Sequence, residues 1–153
     1  FADGAAANGA ALRSLEDRYA KLVERYKGDL NDMRLLRATL DLAGAYIKMH
    51  CLDKAELLLE QAEPTCRKLA GPWASRCIRD LAALRLEQGR QTESAALLED
   101  LIDSEPASAA LQRQLGTVYS AMGDTRRASN ALEEATRLTD SEPDEEDLWH
   151  QAV

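Results

Sequence analysis

The sequence predicts an all-α fold: a helix–turn–helix repeat solenoid of three units, flanked by an N-terminal and a C-terminal helix. Three observations point there. Apolar residues recur at helical spacing along most of the chain, and no stretch alternates as a strand would. Three segments fall on one grid: LAGAYIKMHCLDKA from Leu42, LAALRLEQGRQTES from Leu81 and LGTVYSAMGDTRRA from Leu115. Finally, 45% of the 153 residues are apolar but only 5% are aromatic. A core of Ala and Leu suits helices that pack closely.

The elements follow in chain order. Residues 1–9, FADGAAANG, read as a small-residue, flexible leader. Residues 10–28 read as an N-terminal packing helix. Leu12, Leu15, Tyr19, Leu22, Val23 and Tyr26 form one helical stripe, and Gly28 is the stop. Asn31 or Asp32 can cap the next helix. That helix carries Leu35, Leu36, Leu40, Leu42, Ala43, Tyr46 and Ile47 and ends near His50. Asp53 reads as the N-cap of the following one, within which Pro64 predicts a kink or a break. Gly71-Pro72 marks the clearest turn of the first half. A helix then runs from about Trp73 to Gln88 and stops at Gly89, after which Thr92 can cap a fifth. Pro106 suits the first position of a sixth helix, which a left-handed Gly123 ends. Asp124 caps a seventh, to about Thr139. The tetrapeptide DSEP occurs at Asp103–Pro106 and again at Asp140–Pro143. Residues 143–153 therefore read as the start of a C-terminal capping helix, with Trp149 over the end of the last pair. The alternative is an acidic tail that folds back on basic residues.

The grid defines three units, about 36–69, 75–108 and 109–142. Leu42, Leu81 and Leu115 align, followed by the small residues Ala43, Ala82 and Gly116. Tyr46 and Tyr119 align, with Arg85 in their place in the middle unit. His50, Gly89 and Gly123 fall in the inter-helix turn, and Ala55, Ser94 and Ala128 open the second helix. The small residue allows close approach of two helices, the Leu and Tyr fill the space between them, and Gly makes the turn without a Cβ penalty.

This pattern resembles the tetratricopeptide repeat (TPR), a 34-residue helix–turn–helix unit with Leu, small residue, Tyr, Ala and Pro at set offsets. Leu81 and Leu115 stand 34 residues apart, whereas Leu42 and Leu81 stand 39 apart. The longer unit is similar to those of kinesin light chains. The resemblance covers about residues 31–142. The first unit lacks the turn Gly and the second lacks the Tyr. The resemblance implies three TPR-like units held by Leu42, Ala43, Tyr46, Leu81, Ala82, Leu115, Gly116 and Tyr119. It also implies a concave groove lined by the first helix of each unit. The groove positions fall on Arg37, Leu40, Gly44, Ile47 and Lys48, then Arg76, Arg79, Ala83 and Leu86, then Arg113, Thr117 and Ser120. Arg37, Lys48, Arg76, Arg79 and Arg113 are thus the candidate partner-binding residues, suited to carboxylate or phosphate. The competing reading pairs them with neighbouring Asp41 and Asp80. Chaperone-binding relatives clamp a terminal carboxylate with Lys and Asn. Leu40, Gly44 and Asp80 stand at those positions here, which disfavours that role.

The net charge of −8 argues against nucleic acid as a partner, because there is no surplus of cations to release counterions. No 18-residue apolar run occurs, so direct membrane insertion is not expected. Cys51, Cys66 and Cys77 read as small half-buried thiols rather than as a Cys66–Cys77 disulfide with one thiol left over. His50 and His150 belong to no ligand or catalytic motif. No phosphate loop, zinc-protease helix, calcium loop or nucleophile elbow is present. No catalytic residue, metal site or cofactor is expected. The first residue is Phe1, which fits a processed organellar precursor or an ordered fragment. The expected function is a non-enzymatic protein–protein interaction scaffold, an adaptor subunit of a multi-subunit complex. The alternative is a regulated receptor for acidic peptide segments in an Arg-lined groove.

Overall fold

A computed structural model describes the backbone of residues 2–141 and the side chains of residues 9–140. Seven helices follow one another among these residues. They are α1 (Ala2–Tyr26), α2 (Met33–Lys48), α3 (Leu52–Leu69), α4 (Gly71–Glu87), α5 (Gln91–Ser104), α6 (Ala109–Ala121) and α7 (Thr125–Ser141). No strand occurs among the described residues. The chain divides into two compact units, Phe1–Arg90 and Gln91–Val153.

In the first unit α2 is the central element and packs on α1, α3 and α4. Its sequence explains why. Leu35, Leu36, Ala38, Thr39, Leu40, Leu42, Ala43, Tyr46 and Ile47 are all buried, which is most of the circumference rather than one stripe. Thr39, polar and buried, donates its hydroxyl to the Leu35 carbonyl at 2.7 Å, so it leaves no orphan group. Asp32 caps α2 by accepting from the amides of Arg34 and Leu35. In the second unit α6 packs between α5 and α7. The side of α7 that is buried is almost all alanine: Ala128, Ala131, Ala135 and then Leu138. At Gly116 an added Cβ would lie 3.0 Å from Cγ and Cδ2 of Leu132, and 3.6 Å from the Ala128 carbonyl oxygen. The small position of the grid on α6 therefore lies directly against α7.

The three inter-helix turns are copies of one another. Residues Met49–Cys51, Gln88–Arg90 and Met122–Asp124 each place their middle residue at positive φ: His50 at 59°, Gly89 at 79° and Gly123 at 80°. Each closes with the same long bond back to the aligned grid residue. The Cys51 amide donates to the Tyr46 carbonyl at 2.8 Å, Arg90 to Arg85 at 2.8 Å and Asp124 to Tyr119 at 3.0 Å. His50 thus adopts a conformation that a Cβ disfavours.

Several local expectations are corrected. Residues 2–9, read as a leader, continue α1 toward its N-terminus. Pro64 does not end α3; the helix runs through it to Leu69. Pro64 and Glu60, the residue whose carbonyl loses its donor, are both exposed, so the freed carbonyl is open to solvent rather than buried without a partner. Asp53 lies in the first turn of α3, with Cys51 at the N-cap. Thr92 likewise lies inside α5. Pro106 precedes α6 in a turn, and Ser108 is the cap, accepting from the Leu111 amide at 3.3 Å. Cys66 and Cys77 are fully buried rather than half-buried, and all three thiols are free. Burial pushes both buried thiols, Cys66 on α3 and Cys77 on α4, above the ordinary thiol range. Residues 143–153 lie outside the described residues.

Candidate functional site

The grid position held by Tyr46, Arg85 and Tyr119 does more than fill space. Tyr46 on α2 donates its hydroxyl to Glu16 on α1 at 3.0 Å. Tyr119 on α6 donates to Glu99 on α5. Arg85 on α4 donates to Glu56 on α3 at 2.7 Å, supported by Gln88 at 3.3 Å. Each unit therefore ties its first helix to a carboxylate on the preceding helix. Arginine in the middle unit keeps the donor that tyrosine supplies elsewhere. The shifts agree. Burial and the Glu16 bond push Tyr46 up to about 12, and burial and Glu99 do the same for Tyr119. The Arg85 guanidinium holds Glu56 below the usual carboxylate range.

A cleft of about 400 Å³ opens between α1, α2 and α4 in the first unit. Its lining is Arg18 from α1, Met33, Arg34 and Arg37 from α2, and Pro72, Trp73 and Arg76 from α4. Four arginines thus line one space whose apolar wall is Trp73, Pro72 and a Met33 that stays 43% exposed. The local geometry follows from sequence. Arg34 and Arg37 are three apart at the start of α2, so they share a face. Gly71-Pro72 opens α4, which places Trp73 and Arg76 in its first turns. Arg34 is held in place, donating to the Tyr26 hydroxyl at 2.7 Å. Arg76 is paired with Asp41. Among the described residues, no carboxylate pairs with Arg18 or Arg37. Behind Arg76 lies Asp80. Burial raises it to about 6, opposed by Arg76, Arg79 and Lys48 and reinforced by Asp41.

Of the residues expected in a groove, Arg37 and Arg76 come together in this cleft. Leu40 and Ile47 are buried in the core. Lys48 stands eleven residues beyond Arg37, roughly 16 Å along α2. It lines a separate depression with Leu12, Leu15 and Met49. Arg79 is exposed on α4, one turn beyond Arg76. Arg113 belongs to the second unit, where it donates to the Thr139 hydroxyl at 3.1 Å. The pairing of an Arg with Asp41, the competing reading, holds for Arg76. Reading only the groove positions inside each unit missed Arg18 on α1, and Arg34 and Trp73, which stand just ahead of the unit boundaries at 36 and 75 on α2 and α4. The three-residue spacing of Arg34 and Arg37 was the available signal. Among the described residues, no group of three His, Cys, Asp or Glu side chains could hold a metal ion, and no helix is long and apolar enough to cross a membrane.

No family model matches the sequence, and no curated protein matches it. Among solved structures, the chain is similar to the nearly identical TPR-like repeats of a Podosopora anserina protein assigned as a kinesin light chain. The identity is 22% and the TM-score 0.68, over 86% of this chain and 67% of that one. The likeness shows the fold: an all-α array of TPR-like helix–turn–helix repeats.

Proposed function

We propose that this TPR-like chain is a non-enzymatic protein–protein interaction scaffold, an adaptor subunit of a larger assembly, and that partners engage it through the cleft between α1, α2 and α4. What supports the reading is the cleft itself. A chain of net charge −8 gathers four arginines around an apolar wall and, among the described residues, pairs only Arg76 of the four with a carboxylate. A folded protein has little reason to hold like charges together unless something anionic meets them. The second reading, a receptor that captures and releases acidic peptide segments, draws on the same surplus of charge.

The two readings differ in exchange. An Asp/Glu-rich peptide is titrated against the full chain and followed by fluorescence anisotropy. Reversible, saturable binding that is lost in Arg37→Gln favours the receptor. Absence of binding, together with co-purification in a stoichiometric complex, favours the subunit. A chain that neither binds acidic peptides nor co-purifies with a partner refutes both.

A further inference from the structure

The cleft is the end of a longer basic surface. Beside it, a second depression is lined by Ala10, Arg13, Ser14, Asp17, Arg18, Lys21, Leu22 and Arg34. Arg18 and Arg34 line both. Six cations, Arg13, Arg18, Lys21, Arg34, Arg37 and Arg76, therefore form one continuous face. Among the described residues, the carboxylates against it are Asp17 in the depression, Asp41, which pairs with Arg76, and Asp80 behind Arg76.

From this arrangement we infer that the face takes a phosphorylated segment of a partner protein, with the phosphate in the α1/α2/α4 cleft and acidic flanking residues along α1. The inference rests on the cleft being a binding site and names what it reads. Four arginines line one small space, and among the described residues Arg76 alone of the four is paired with a carboxylate. A carboxylate carries one charge and accepts one planar fork, so it neutralises about one of them. A phosphate carries about −1.5 to −2 charges and three strong acceptor oxygens, and can engage several guanidiniums at once. Arg34 is already oriented by Tyr26, and Arg18 and Arg37 are the groups left to close on the ligand. Trp73, Pro72 and Met33 seat the side chain next to the phosphate. Arg13 and Lys21 extend the track by one to two helical turns. A nucleic acid or an anionic membrane would bring an extended polyanion against a chain of net charge −8. A short linear segment meets only the basic face, and so avoids that repulsion.

The test uses the full chain with Trp149→Phe, which leaves Trp73 as the sole tryptophan and a reporter inside the cleft. Three peptide libraries are titrated, identical and enriched in Asp, Glu and Leu, except for a fixed central phosphoserine, glutamate or serine. The phosphoserine library is expected to change Trp73 fluorescence and to bind at least about tenfold tighter than the glutamate library. Arg18→Gln and Arg37→Gln should each remove most of that preference, while Arg67→Gln on α3 should leave it. Inorganic phosphate alone should compete only in large excess. Equal binding of the phosphoserine and glutamate libraries overturns the phosphate inference but leaves the acidic-segment reading standing. Competition by inorganic phosphate at the concentration of the phosphopeptide overturns the protein-segment part. Binding of none of the three overturns both.

Discussion

Replacing Gly116 by alanine and by leucine, each with and without Leu132→Ala, resolves two opposing effects at the α6–α7 crossing. Gly116→Ala gains about 1 kcal/mol from helix propensity, because glycine loses more backbone freedom on folding. Against this, the new Cβ lies 3.0 Å from Cγ and Cδ2 of Leu132, closer than carbon atoms ordinarily pack. Leu132 is 45% exposed and can swing a few tenths of an ångström outward. The net change should lie within about 0.5 kcal/mol of zero. In the Leu132→Ala background the clash is gone, and Gly116→Ala should stabilise by about 1 kcal/mol. Gly116→Leu is different. The longer side chain must displace Leu132 and press on the Ala128 backbone, 3.6 Å from the Cβ site. It should cost roughly 1–3 kcal/mol, partly recovered with Leu132→Ala. Urea unfolding followed by circular dichroism reads all six proteins. A Gly116→Leu penalty below about 0.5 kcal/mol, or no coupling between positions 116 and 132, would refute the crossing argument.

Other consequences follow from single contacts. Asp80 titrates near 6 in the fold against an ordinary 3.8. The fold favours its protonated form, so that stability is full below about pH 4 and falls by up to about 3 kcal/mol as pH rises through 6. Asp80→Asn should therefore match the parent near pH 4 and be more stable near pH 7.5; a constant difference at both pH values contradicts the burial argument. Arg85→Leu strips Glu56 of its nearest donor and should cost about 1–2 kcal/mol at pH 7. Because Glu56 is held below its usual range, that cost should shrink as pH falls and the carboxylate protonates; the same chemical-denaturation curves at pH 7 and pH 3 check it. His50→Gly should stabilise by about 1 kcal/mol, since His50 sits at φ 59° and its 3.4 Å pair with Glu87 is exposed. A lower melting temperature for His50→Gly would argue against strain in that turn.

The repeat was legible because its requirements are local. A turn at positive φ and a small residue at a helix crossing leave their marks at fixed offsets. Even His50 could be placed in its turn by alignment alone. The partners of the grid were not legible. Tyr46, Arg85 and Tyr119 each find a carboxylate on the preceding helix, at Glu16, Glu56 and Glu99. Laid on the second-helix grid, with Leu59 on Leu98, Glu56 and Glu99 sit one turn apart, so no fixed spacing announces them. Pro64 and Pro106 misled for a related reason. A rule about one residue's backbone does not know whether water can reach the carbonyl it frees, or whether a Ser two residues on makes the better cap. The candidate site was half legible. Arg37 and Arg76 follow from helix position, but Arg18 enters from a helix that the repeat pattern treats only as packing. Lys48 and Arg113 were grouped with them by analogous position, although one lies three turns along α2 and the other is tied to Thr139.

The account turns on whether a partner segment docks between α1, α2 and α4, and amide chemical-shift mapping of the full chain with an Asp/Glu-rich peptide tests that most directly. The shifts should centre on Arg18, Arg34, Arg37, Trp73 and Arg76, include the Trp73 indole, and fall away at Lys48 and Arg113. Shifts that centre on Lys48 or Arg113, or a spectrum unchanged at saturating peptide, would contradict it.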